Sequence, residues 1–562
     1  MYKITIFTAL CIAMLASAKA QNNSPTTLAE VFEPVVVGIP PSDAYIGLSK
    51  MEDGELRHYN YGEQPEKATP LYLSSYDNGF TWKGIPLIPD VPYADTKSPI
   101  SGEYIRAFHG DNCVYVVRTE GGINGDRTLT KIDTTLAIML KPPVFIDGGE
   151  RIVIAAHGVD RKGCFTYVSS DDGKTWQKSN RVNAPAHEAI GVHKGIRWNH
   201  GAVEPTVVEI EDGRLWMIMR TAQDRHYQSF SEDGGLTWCE PTPSPFYGTI
   251  TMPTFYKIAD GRILFFWSNT TPLPEVETAT TGYWEDVFTN RSASHVAISE
   301  DSGKTWIGMR ELILDQMRNS PEFGTSQGRD KSVHQAQAVE VEPGKILVSA
   351  GQNKLNRKML LFDVDWLYED SRSSNFSDDL NSWSAFRYYK GIVGHCGYNR
   401  QEAPLLVAHP EKDGAKVMKI GYAPNSELVD DKDGAIWNFP AAKNGEVTVR
   451  LMIPEGAESI NLIINDRWFN PTDEVAKDEC QYCVNIDRST LKIKDSQWHN
   501  VTIRWQHNSS ATIYVDGKKR GTCDLVSPTE HGSSYLHILG GTTPDQIGVM
   551  IESVEAHALL KI

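Results

Sequence analysis

Apolar and polar positions along the chain alternate in short runs broken by Gly and Asp, and this period-two pattern predicts strands. It is plainest from Gly201 to Trp238, GAVEPTVVEIEDGRLWMIMRTAQDRHYQSFSEDGGLTW. The stretch reads as three strands (TVVEI, RLWMIMR and HYQSF), with an Asp-Gly turn after the first and the loop SEDGGLTW after the last. Antiparallel strands joined by a tight turn bring the chain back to its start. Glu204, just ahead of the first strand, and Arg220, ending the second, are therefore expected side by side at one rim of a sheet. Such a pair is either part of a site or an ion pair closing a hairpin.

The closing loop recurs. Ser75–Trp82 reads SYDNGFTW, Ser169–Trp176 reads SSDDGKTW and Ser299–Trp306 reads SEDSGKTW, so four segments fit S-x-D-x-G-x-T-W. In each, the Asp carboxylate accepts local hydrogen bonds, Gly supplies a positive φ and Trp buries its ring between neighbouring sheets. Repetition in phase with strand pairs signals a repeat architecture. Hairpin turns are predicted at Asp53-Gly54, Gly110-Asp111, Asp147-Gly148, Asp212-Gly213, Asp260-Gly261 and Pro343-Gly344, most with apolar runs on both sides. Six hairpins at blade-like spacing predict an all-β fold, a six-bladed β-propeller from about residue 36 to 368.

Beyond Asp365 the segment EDSRSSNFSDDLNSW is polar and Ser-rich, a linker-like boundary. Alternating strands without the repeated loop follow, such as HNVTIRW, in which Val501, Ile503 and Trp505 share a face. They predict a β-sandwich jelly roll over 369–562. With no evident row of exposed aromatics, this unit is expected to pack on the propeller rather than to bind sugar.

Composition narrows the compartment and the partners. The first twenty residues, MYKITIFTALCIAMLASAKA, have a Lys, an apolar run and a small-residue site at Ala18-Lys19-Ala20, as a cleavable signal peptide does. A propeller domain over 21–368 and a secreted or periplasmic location are then expected. No later stretch is apolar for long enough to span a bilayer as a helix, so no membrane insertion is expected. A net charge of −17 argues against nucleic acid. Of eight cysteines, seven follow the signal segment, and an odd number leaves at least one thiol unpaired. Cys480-Gln-Tyr-Cys483 has no second pair of matching spacing, so neither a metal nor a cofactor is expected. Nothing in the sequence signals an oligomeric state.

The S-x-D-x-G-x-T-W loops resemble the Asp boxes of the sialidase (neuraminidase) superfamily, and EPTVVEIEDGRLWMIMR resembles its central catalytic blade. The resemblance covers Val36 to about Asp365. WHNVTIRWQHNSSATIYVDGK resembles the laminin-G and concanavalin-like jelly rolls often appended to carbohydrate enzymes. In the sialidase family a Glu activates a Tyr nucleophile, an Asp is the acid/base and three Arg clamp the substrate carboxylate. The planar fork of arginine suits a carboxylate. The resemblance implies that Glu204 is the activating Glu and that Arg220 and Arg291 are clamp arginines. Two family positions differ, with Ala44 where the first clamp Arg is expected and Gln335 where the Tyr is expected. Asp95, after the first Asp box, is the best-placed acid/base.

Those departures draw in the histidines. His109 ends a strand in YIRAFHG, His157 ends one in RIVIAAHG, His200 precedes Glu204, and His334 neighbours Gln335. An imidazole exchanges a proton near neutral pH. Three functions follow as expectations. The first is an exo-acting glycoside hydrolase of sialidase-like fold acting on a terminal, acidic sugar of a glycan or polysaccharide. Glu204, Asp95, His157 and His334 would be its catalytic candidates, and Arg220, Arg291, His109 and Gln335 would bind substrate. The second is a propeller-type polysaccharide lyase in which His109 or His157 takes a C5 proton from a uronate that Arg220 neutralises. The third is a non-catalytic glycan-binding protein.

Overall fold

The computed structural model describes residues 25–40, 47–59, 71–86, 94, 96–120, 127–188, 197, 201–211, 213–272, 290–324, 332–351, 357–394, 397–402, 405–421, 432–457, 459–494, 496–541 and 548–559. The predicted signal segment, Ala44, Asp95 and His200 lie outside these residues.

From Val35 to Asp363 the described residues form six antiparallel sheets of four or five strands. The fourth is Val203–Glu211, Arg214–Arg220, Arg225–Ser231 and Thr242–Tyr247 in that order. The sixth takes its outer strand, Val35–Gly38, from the beginning of the chain and pairs it with Lys358–Asp363, which ties the two ends of the domain together.

Apolar clusters lie between successive sheets. Ile105 and Val116 of the second pack on Ile152 and Ile154 of the third. Val153 and Val168 of the third pack on Leu215 and Met217 of the fourth, and Trp216 of the fourth packs on Phe255 and Phe265 of the fifth. Leu264 and Phe266 of the fifth meet Ile346 and Val348 of the sixth. Val339 and Leu347 of the sixth meet Leu56 of the first. Met51, after the opening strand of the first, meets Tyr104 and Val117 of the second. A sheet buried on both faces by its neighbours around a closed circuit is a β-propeller.

The four repeated loops behave alike. Each Asp accepts the backbone N–H of the Thr four residues on, at 2.9 Å for Asp77, 2.8 Å for Asp171, 2.9 Å for Asp233 and 2.8 Å for Asp301. The Gly of each loop lies at positive φ, 94°, 79°, 93° and 85° in chain order, where a side chain would be strained. In the fourth sheet the loop follows Ser231, which pairs with Leu215 near the turn, while Arg220 ends the same strand at the other end. The Asp box and Glu204 therefore occupy opposite ends of the sheet.

Beyond Tyr368, two sheets of eight and five strands enclose a core including Trp437, Val449, Leu462, Ile503 and Ile538. This sandwich is buried against the fifth propeller sheet: Ala293 shares an apolar cluster with Trp468, Phe469 and Tyr535. A buried polar relay crosses the junction. His295 Nδ1 accepts the Asn269 N–H at 3.0 Å, so Nε2 carries the proton and donates to the Tyr535 hydroxyl. Tyr535 in turn donates to Glu311 at 2.9 Å. Removing one member leaves buried polar groups without a partner. Tyr535→Phe is expected to lower stability by about 1–3 kcal/mol, seen as an earlier denaturant midpoint. An unchanged midpoint would mean that the relay does not hold the junction.

Among the described residues, Cys113, Cys164, Cys239, Cys480, Cys483 and Cys523 are free thiols.

Candidate active site

Glu204 owes its position to a β-bulge. In the pairing of Val203–Glu211 with Arg214–Arg220, Val203 lies opposite Arg220 and Thr206 opposite Ile218, so Glu204 and Pro205 together face Met219. Pro205 has no N–H to give a ladder and is tolerated there. Glu204 adopts a φ of 48°, which costs a non-glycine residue energy. Strain of this kind persists where surrounding contacts over-determine it. Here the Glu204 N–H donates to His157 Nδ1 at 3.2 Å. Arg220 Nη1 donates to both carboxylate oxygens, at 2.8 and 2.7 Å.

Both partners are buried, Glu204 at 5% and Arg220 at 4% exposure, so this is not a surface ion pair. Burial pushes the Glu204 carboxyl up, but the Arg220 charge and hydrogen bonds, helped by His157 and His334, outweigh it and hold the group down to about 2. Glu204 is thus an anion at every ordinary pH. It suits charge stabilisation or activation of a neighbouring group, not proton donation.

The other expected residues divide. Burial pushes the His157 imidazole down to about 4, against the opposing pull of Glu204, and its Nδ1 is engaged by the Glu204 N–H. A neutral imidazole of that basicity is a weak base near neutrality, and its contact with the Glu204 N–H gives His157 a positioning role. His334 is buried, accepts the Met252 N–H through Nδ1 at 3.0 Å, and contributes to the electrostatics of Glu204. Gln335, 6% exposed, sits beside it at a φ of 65°, a second strained residue just ahead of an inner strand. Arg291 is buried, donating through Nη1 to Ser332 Oγ at 3.1 Å and through Nη2 to the Ile250 carbonyl. It ties the connectors entering the fifth and sixth sheets to each other. His109 ends up exposed near the end of Tyr104–Gly110, beyond the buried residues Tyr104 through Ala107. It is not among the buried groups around Glu204.

One residue escaped the sequence reading. Lys141 lies in the connector ahead of Val144–Ile146 and donates through Nζ to Thr254 Oγ1, at the start of the fifth sheet. It joins the entries of the third and fifth sheets across the axial cavity. Burial pushes its ammonium down to about 7, partly offset by attraction to Glu204. A repeated signal was present: KPPVF, EPTVV and MPTFY each place a residue before Pro at the entry to an inner strand, at Lys141, Glu204 and Met252. Aligned on that proline, Lys141 is the counterpart of Glu204 in the preceding sheet.

Residues 45–326 match the BNR repeat-like domain. No curated protein matches the chain. Among solved structures, the chain is similar to Trypanosoma rangeli sialidase at 13% identity, over 93% of this chain and 92% of that one, with a TM-score of 0.33. It is also similar to a Dyadobacter fermentans protein of unknown function at 16% identity, over 59% of this chain and 98% of that one, with a TM-score of 0.39.

Proposed function

The chain belongs to the BNR repeat-like domain family, as a divergent member of the sialidase superfamily, and we propose that it is an exported exo-acting glycoside hydrolase that removes a terminal acidic sugar from a glycan or polysaccharide. The observation that carries this reading is the buried Glu204–Arg220 pair, held in a strained bulge at the entry to an inner strand. Arg220 keeps Glu204 ionised. The Glu204 charge then balances the positive charge that grows on the anomeric carbon as the glycosidic C–O bond breaks. Water forms the new C–O bond, loses one proton, and the leaving oxygen gains one. His157 fixes the backbone of Glu204, and Arg291 fixes the connectors beside it. Two basic groups beside a single carboxylate, Arg220 and Lys141 with Glu204, favour an anionic substrate. Glu204 has no Tyr at the position of Gln335 to activate, and this favours water as the attacking group.

The test is release of free sugar. Purified protein is incubated with sialosides, with oligosaccharides ending in uronic acids and with neutral counterparts, and the released monosaccharide is quantified. The expected result is release from acid-terminated substrates. Binding to these glycans with no sugar released from any of them would refute the hydrolase reading.

A further inference from the structure

The inner strands enclose an axial cavity of about 70 Å³. Leu48, Val144, Thr206, Thr254 and Gln337 line it, one from each of five sheets, and the charged group on its wall, among the described residues, is Lys141. Around Lys141 the wall is apolar or neutral. The Thr254 hydroxyl that receives the ammonium donates its own hydrogen to the Ala336 carbonyl at 2.9 Å, so its orientation is fixed. Glu204, the carboxylate that attracts Lys141, already has both oxygens on Arg220 Nη1.

An ammonium has three hydrogens to donate, and Thr254 takes one. A cation at an apolar cavity is costly unless an acceptor of opposite charge completes it. The volume exceeds what a single water requires and matches a group about the size of a carboxylate.

We propose that this cavity is a binding site for one monoanionic group of carboxylate size, held by Lys141 and oriented by Thr254. Two sources offer that chemistry, a small free anion and the acid group of a bound sugar. The site itself does not depend on the hydrolase reading, and the sugar as its source does. The charged group acting on Lys141 is Glu204 from the fourth inner strand, and Glu204 in turn feels Arg220 beside it, His157 from the third sheet and His334 ahead of the sixth. Glu204 stays ionised and His157 stays neutral between pH 5 and 8. Loss of the Lys141 proton above about pH 7 therefore weakens anion binding as pH rises.

Formate is the probe. The melting temperature is followed as formate replaces sulfate at constant ionic strength, with wild type, Lys141→Met, Thr254→Val and Lys518→Met. Saturable stabilisation is expected in wild type and in Lys518→Met, which alters an exposed lysine of the sandwich. It should be lost in Lys141→Met and about tenfold weaker in affinity in Thr254→Val, whose ammonium is intact. In wild type the effect should fade from pH 6 to pH 8.5. Lys141→Met should itself melt higher than wild type at pH 6 without formate, because a partly desolvated ammonium at an apolar wall is gone, and this shows that the variant is folded. No saturable effect in wild type, or an equal effect in Lys141→Met, would overturn the proposal.

A second arm assigns the source. Formate that competes with an acidic glycan, with KM raised in Lys141→Met for acidic but not neutral glycans, identifies the sugar's acid group. Formate that binds without competing identifies a free anion. If no glycan is turned over, the melting series still decides the site.

Discussion

Arg220→Met is expected to destabilise the protein by about 3–5 kcal/mol, the largest stability effect anticipated for a single substitution here. The reason is what it leaves behind. Glu204 would keep its burial and lose the guanidinium nitrogen that binds both of its oxygens. An uncompensated buried carboxylate is far more costly than the pair is favourable. The pH dependence follows from the signs. In the wild type the folded pKa of Glu204, about 2, lies below its unfolded value near 4.3. Its contribution is then fully present above pH 4.3 and is lost as pH falls toward 2. In Arg220→Met burial is opposed only by the weaker pull of His157 and His334 and lifts the folded pKa above the unfolded one. The variant is then penalised most at neutral pH and recovers as the carboxyl protonates. Denaturant midpoints at pH 7 and pH 4 should show a wide gap between the two proteins that narrows on acidification. A gap that is small at pH 7, or that widens in acid, would show that the pair does not hold Glu204 ionised.

Glu204→Gln is expected to reduce sugar release by about 10²–10⁴-fold, the range in which a positioned carboxylate acts. The amide keeps the shape of the side chain and an oxygen to accept from Arg220, so the fold should survive; a circular dichroism spectrum like that of wild type checks this. What the amide lacks is the charge that balances a cationic anomeric carbon. Because Glu204 titrates near 2, the wild-type rate should not fall between pH 7 and pH 4 on its account. A Glu204→Gln variant that retains wild-type turnover on an acidic glycan would remove Glu204 from the mechanism.

How far the sequence reaches is clearest when residues are compared one by one. The four Asp boxes were readable because their bonds stay within a few residues: Asp233 holds Thr237, and Ser231 holds Gly235. The Glu204–Arg220 contact was readable because a hairpin register fixes it, with Val203 opposite Arg220. His109 and His157 looked alike, each just before a Gly at a strand end. Yet one is exposed and the other buried against Glu204, because neighbouring elements cover the whole of Ile152–Gly158 but leave the end of Tyr104–Gly110 open. Arg291 bonds to Ser332 and Ile250, and no local pattern showed these partners, because they stand on connectors that only the closed ring brings to it.

The sequence by itself therefore determined the repeat, the hairpins and the carboxylate–guanidinium pair, all set by interactions within one blade. The tertiary structure alone decided the state of that pair and the company it keeps. Burial pushes His157 and Lys141 toward their neutral forms while Arg220 holds Glu204 ionised against it, and burial is a property of the packed ring. Lys141, ahead of the third sheet's inner strand, reaches Thr254 at the start of the fifth across the axial cavity. No local pattern encodes that distance, because closing the ring is what brings the two together.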